Sequence, residues 1–404
     1  MRRLALAGLL LAACGGGAVT ADAAPAPVAA RVTSTADPHV AGAAVDGFAD
    51  ELLAAIAAGA DDDANLVVSP LSIATALAMI EPGAVGDGRD AIDALLAIDD
   101  PAAFHSSMNA LRAGLETRTE AEIGVADAAY IQQGYPLTDA YLEALGRDYG
   151  PVLEQVDFVP DPDAVAHRIN GFVDEHTHGR IPDLIDDGVL DTATVLALVD
   201  ALYVKGTWSQ VFEGDATTTS AFTRRDGTTV EAGLMHGRAD GIGQGDGFRF
   251  ATKDLDGGLA VQFVLPDEGR FDEVAGHLAS ISVGCTAGPV AIPRFEVRTA
   301  VDLESTYRAL GLGPLFDDGN LTGIADDPLL ALDRALHQAW IRVDEAGVEA
   351  AAATVNSFVP ISGCLAEPGD ELVFDRPFLF RVVDTVSGAP LFVGRVMDPT
   401  APAD

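Results

Sequence analysis

Glu345-Ala346-Gly347-Val348-Glu349-Ala350-Ala351-Ala352-Ala353-Thr354 is the stretch on which the reading of this chain turns. A strand sends successive side chains to opposite faces. Val348, Ala350, Ala352 and Thr354 therefore share one face, and Glu349, Ala351 and Ala353 the other. The first face is small or β-branched and uncharged throughout. The second holds the one carboxylate, Glu349, which is expected to stay solvated because burying it unpaired is expensive. Gly347 gives the segment a flexible start. No proline interrupts residues 346–359, so no backbone donor is missing from a ladder there. As a helix, the run Ala350–Thr354 is too short to hold by itself. The stretch reads as a strand-competent hinge.

Around it lies a chain of 404 residues with 24 Lys+Arg against 62 Asp+Glu, a formal charge of −38. That balance excludes a general nucleic-acid binder or a polybasic membrane-surface protein, both of which need positive charge to meet phosphate. Apolar residues make up 49%, enough for a sizeable core and far from a disordered composition.

The first residues read as an export signal. Arg2 and Arg3 precede the apolar stretch Leu4–Ala13, which is too short to span a bilayer. It ends in Leu11-Ala12-Ala13-Cys14, which is similar to a bacterial lipobox. That similarity implies cleavage before Cys14 and lipidation of Cys14, with an exported protein held at the cell envelope (outer membrane or cell surface) or released outside the cell. Residues 14–42 are rich in Ala, Gly and Pro and read as a flexible tether. The domain reading is thus a signal at 1–13, a tether at 14–42 and a folded body at 43–404.

In the body, Phe48, Leu52, Leu53 and Ile56 recur at helical spacing. A short strand at Asn65–Val68 leads into a helix beginning near Pro70 with Ser69 as its cap. Further helices are expected around 87–97, 102–117, 137–147 and 162–176, then mainly strands after about residue 190, with helices near 271–279 and 302–311. This pattern is α+β.

Five blocks carry a family resemblance. They are Asn65–Ile73 with Gly83–Gly86; Ile169–Val173 running on to Thr177–Ile181; Ala201–Trp208 with Phe212, Phe222 and Gly227; His337–Ala339 with Glu345–Thr354; and Asp375–Phe380 with Leu391–Arg395 and Asp398-Pro399. In that order, over residues 43–400, they resemble the serpins. The resemblance implies a serpin fold with three β-sheets, about nine helices and an exposed reactive-centre loop near the C-terminus. It implies a non-enzymatic, suicide-type inhibitor whose loop is cut by a serine protease, forms a covalent acyl complex, and inserts as a new strand in the central sheet. Two alternatives stay open: a non-inhibitory surface module whose loop is cut without trapping, and inhibition of cysteine proteases.

Within that resemblance, Glu345, Gly347, Val348, Glu349 and Ala350–Thr354 are the hinge; Val348 stands where the family usually has Thr. Counting sixteen residues on from Glu345 places the reactive bond at Ile361–Ser362, with Phe358, Val359 and Leu365 as alternatives. No Arg or Lys lies between residues 346 and 375. The bait thus suits elastase-, subtilisin- or chymotrypsin-like proteases and not trypsin-like ones. Ser69, Ser72 and His337 match the polar cluster beneath the parting strands. Asp200 replaces the usual Asn there, and another common Asn is Asp127. A carboxylate beside His337 is expected to keep the imidazole protonated. Trp208 matches the tryptophan where the loop enters the sheet. Cys285 and Cys364 form a possible disulfide, two free thiols being the alternative. His176 and His178 sit in a matched structural turn and are not read as metal ligands. No cofactor and no metal are expected, and the protein is read as a monomer whose partners are the protease and, through lipid, the membrane.

Overall fold

The computed structural model describes residues 31–150, 153–278, 286–349 and 370–403, and at Asp200 the backbone alone. Ala350–Thr354, Ile361, Ser362, Cys14, Cys285 and Cys364 lie outside the described residues. Among those described there are eight α-helices: α1 (His39–Ala57), α2 (Pro70–Ile80), α3 (Gly86–Leu95), α4 (Pro101–Glu116), α5 (Asp139–Asp148), α6 (Pro162–His176), α7 (Phe271–Ala275) and α8 (Glu304–Ala309). Four begin at a side chain that accepts from a first-turn N–H: Ser69 from Ser72, Asp100 from Ala103, Thr138 from Tyr141 and Asp161 from Ala164. Each such cap contributes about 1 kcal/mol. Pro70, Pro101 and Pro162 stand at the helix starts, where a missing N–H is not missed.

Helix α1 starts at His39, ahead of the boundary at 43 read from composition. Residues before it are bound along α4. Asn109 Nδ2 donates to Val32 O and its Oδ1 accepts from Ser34 N, both at 3.0 Å, and Ser107 Oγ donates to Asp37 O at 2.6 Å. The last part of the compositional tether is therefore attached to the body.

Strands are numbered along the chain as β1 (Leu66–Val68), β2 (Glu122–Gln132), β3 (Leu153–Val156), β4 (Leu196–Thr207), β5 (Thr218–Thr223), β6 (Thr229–Gly245), β7 (Phe248–Leu255), β8 (Leu259–Pro266), β9 (Thr286–Pro293), β10 (Phe295–Asp302), β11 (Arg334–Val343), β12 (Gly347–Val348), β13 (Leu372–Val373), β14 (Phe378–Asp384) and β15 (Pro390–Val396). Helices and strands interleave from the start: β2 and β3 fall among α4, α5 and α6, where the sequence reading expected helices alone. The central part of β2 is buried throughout, so it lacks the apolar–polar alternation that marks a half-exposed strand.

The central sheet has the order β10-β11-β12-β4-β2-β3. Its two faces bury different residues. On β4, Leu196, Leu198, Leu202 and Val204 face the main core, whereas Ala197, Val199 and Ala201 face a second cluster with Val165, Ile169 and Val173 of α6. Large side chains thus fill the core and small ones let α6 lie close. A second system runs β1-β15-β14-β8-β7-β6-β9-β13, with β5 on β6. The 17-residue β6 pairs in turn with β5, β9 and β7 and shifts register between Ala239 and Ile242. That irregularity bends it, and two of the three expected sheets run together through it. Strand β13, downstream of the loop, pairs with β9 at the edge.

Candidate functional site

Strand β11 ends at Val343 and the chain turns tightly. Asp344 N donates to Gly347 O at 3.0 Å, Gly347 N to Asp344 O at 3.3 Å, and Asp344 Oδ1 accepts from Ala346 N at 3.0 Å. Gly347 and Val348 then run back as β12, antiparallel to β11 through Val343↔Val348 and antiparallel to β4 through Gly347↔Thr207 and Val348↔Gly206. Strands β11 and β4 pair directly, in parallel, along Arg334–Ala339 and Ala197–Leu202. The hinge therefore begins as a wedge between them at their far end. A Cβ on Gly347 would lie 2.0 Å from Gly206 O, so glycine is required for this close approach.

Val348 packs into the main core, as strand alternation requires. Glu349 departs from expectation. It is 8% exposed rather than solvated. Arg180 Nε donates to its Oε1 at 2.5 Å, and Arg180 Nη2 meets the same oxygen. The cause is tertiary: the outward face of the sheet is roofed here by α6 and the turn after it, which carries Arg180. The Arg180 guanidinium lies 5.0 Å from the Trp340 ring centroid. Burial, with Glu349 close by, pushes the Tyr203 phenol up, so it stays neutral. Glu349 has φ 39°, a left-handed conformation that is strained for a non-glycine residue.

The turn is pinned from beneath. Trp208 N donates to Ala346 O at 3.0 Å and its Nε1 to Asp344 O at 2.8 Å. Phe212 N donates to Glu345 O at 3.0 Å, and Thr217 Oγ1 donates to Glu345 Oε1 at 2.7 Å, with Arg294 Nε 3.5 Å away. Below Trp208 lies Lys253, whose Nζ donates to Gln210 O at 2.5 Å and Arg238 O at 3.0 Å and sits 4.6 Å from the Phe212 ring centroid. Burial pushes this ammonium down to about 8, against the opposing pull of Asp240 and Asp254.

Ser69, Ser72 and His337 come together beneath the central sheet, all buried. Ser69 Oγ accepts from Ser72 N at 3.2 Å, and Ser69 N donates to His337 Nε2 at 3.1 Å. Backbone register sets Asp200 between Asp127 and His337, so the three stand in one row across β2, β4 and β11. A backbone N–H can only donate, so His337 Nε2 is the acceptor in this bond.

His176 and His178 do not converge. His176 Nδ1 donates to Phe172 O at 2.8 Å, and His178 Nε2 lies 3.0 Å from a Glu122 oxygen. Among the described residues no group of three or more His, Cys, Asp or Glu is placed to hold a metal ion. Sequence reasoning passed over Arg180, Tyr203 and Lys253 as site residues. Arg180 is 169 positions from Glu349, and no local pattern couples them. Lys253 did carry a signal, as one of only two lysines in the chain.

The model of the family described as Serpin (serine protease inhibitor) matches residues 43–399. Alpha-1-antiproteinase S of Cavia porcellus is 31% identical over 356 residues, covering 83% of this chain and 85% of its own. Neuroserpin of Homo sapiens is 30% identical over 367 residues, covering 84% and 87% respectively. Among solved structures, Serpin48 of the insect Tenebrio molitor aligns with a TM-score of 0.77 at 26% identity, covering 88% of this chain and 97% of its own. The chain belongs to the serpin family, and its fold is the serpin fold.

Proposed function

We propose that this chain is a suicide-type inhibitor of an elastase-, subtilisin- or chymotrypsin-like serine protease, acting by loop cleavage and strand insertion. The observation that carries the reading is the wedge: Val348 is already paired to both β11 and β4. Extending that register antiparallel along both strands brings Ala350 and Ala352 inward, then sets Thr354 opposite His337 on β11 and Asp200 on β4. The hinge is thus uncharged on its inward face down to the gate row. Insertion exchanges one parallel pairing for two antiparallel ones, which are slightly more stable per residue, and adds a full set of ladder hydrogen bonds.

In this reading the protease serine attacks the Ile361 carbonyl. An ester forms between enzyme and Ile361, the Ile361–Ser362 bond breaks, and the new amine of Ser362 leaves. Insertion then carries the acylated enzyme away before water can release it. The loop strand β13, held on β9, stays behind with the body. We place the protein outside the cell membrane, as a monomer tethered by lipid at Cys14, on the strength of the lipobox similarity and the tether that follows it.

The test is to incubate the chain from residue 15 onward with elastase, subtilisin, chymotrypsin and trypsin. Expected are a denaturant-stable complex with at least one of the first three, a released peptide starting at Ser362, and no complex with trypsin. Cleavage with neither a complex nor a gain in thermal stability would leave the non-inhibitory module as the reading.

A further inference from the structure

The inward face of the hinge is uncharged, but its outward face carries Glu349, and the outward face is roofed by α6 and the turn after it. An inserting strand therefore has to bring a carboxylate under that roof. Three basic side chains stand around its position, of which Arg342 is exposed to solvent. Arg180 already bonds Glu349. The hinge register puts Glu349 between Arg342 on β11 and Lys205 on β4, and Glu349 N already donates to Arg342 O at 2.9 Å. Arg342 and Lys205 have other partners in the present state, Asp344 at 3.3 Å and Glu122 at 3.3 Å, whereas Arg180 is stacked on Trp340 and directed at Glu349. Glu349 has a left-handed φ of 39°, which must become extended for a strand to continue through it.

Resting on the inhibitor reading, we propose that Arg180 is a positioning residue for strand insertion: it receives the Glu349 carboxylate beneath the α6 roof, and without it the hinge stalls after Val348. Arg180 neutralises the one charge in residues 348–354 and spans the docked and inserted states, since Glu349 keeps its face as the strand grows. A contact that merely restrains the loop would act in the opposite direction, because removing it would free the loop and speed trapping.

The experiment compares wild type with Arg180→Met, Arg180→Lys, Glu349→Gln and the double variant Arg180→Met/Glu349→Gln. Two readouts are used: the rate of stable complex formation with the susceptible protease, and the gain in thermal midpoint after loop cleavage by a protease that is not trapped. Arg180→Met is expected to slow trapping at least about tenfold and to raise the share of loop cut without trapping, because a buried carboxylate is left without its partner. Glu349→Gln stays near wild type, the double variant returns to the Glu349→Gln level, and Arg180→Lys recovers part of the loss. Unchanged or faster trapping in Arg180→Met overturns the proposal, as does a double variant as slow as Arg180→Met. A wild type that neither traps nor gains stability on cleavage overturns the inhibitor reading itself, and is told apart by needing no variant.

Discussion

The Ser69 backbone N–H donates to His337 Nε2 at 3.1 Å across 268 residues of sequence, which ties the cap of α2 to β11 where β11 and β4 still pair directly. The same Ser69 caps the helix with its hydroxyl, so one residue serves both the helix start and the underside of the sheet.

His337→Ala would leave the Ser69 N–H buried without its acceptor, at about 1–3 kcal/mol. The unfolding free energy should fall by that amount, read as a lower denaturation midpoint with an unchanged slope in denaturant. His337→Gln, which offers an amide oxygen, should lose less. A wild-type midpoint for His337→Ala would show that this bond does not hold the gate.

Lys253 makes a pH prediction. Its ammonium is pushed down to about 8 by burial, against about 10.4 in an unfolded chain. Between those values the unfolded chain holds a proton that the native protein has released, so native stability gains as pH rises through that window. The gain is at most about 1.4 kcal/mol per pH unit. Below pH 8 both states hold the proton and the slope from this group vanishes. Lys253→Met should remove the slope, read as the difference between variant and wild-type unfolding curves from pH 7 to 10. Parallel curves would rule the assignment out.

Gly347→Ala should expel the wedge, since the new Cβ would meet Gly206 O at 2.0 Å. Amide exchange at Glu349, whose N–H is held by Arg342 O, is expected to accelerate at least about tenfold as the local ladder opens. Unaltered protection there would mean that the backbone yields elsewhere to keep the hinge docked.

In the proposed inhibitor reading, Ile361 is the bait residue that sets the target. Ile361→Arg should abolish trapping of elastase- or subtilisin-like enzymes and create trapping of trypsin, since an apolar pocket rejects a charge and an acidic one requires it. Retention of the original target, with a released peptide that does not begin at Ser362, would move the reactive bond to another of the aliphatic or aromatic candidates.

Local chemistry was legible where it acts over a few residues. Ser69 before Pro70 announces a helix start, and α2 begins there. The alternation from Val348 onward reads as a strand with a clean inward face, and Val348 is buried accordingly. Strand β2 was not legible, because a strand buried on both faces carries no period of two. Nor was the bond from Ser69 N–H to His337 Nε2, which joins residues 268 positions apart.

From sequence alone came the family, the uncharged inward face of residues 348–354, the absence of Arg and Lys from residues 346–375 and the Ser69 helix cap, since each depends on residue type and short spacing. Only the tertiary structure decided which way Glu349 faces water or protein, which cation meets it, and how far the hinge already lies between β4 and β11. These depend on what packs across a sheet from distant parts of the chain. Glu349 looks like a solvated residue until α6 and Arg180 are laid over it, and burial then makes its charge a requirement on a residue 169 positions away.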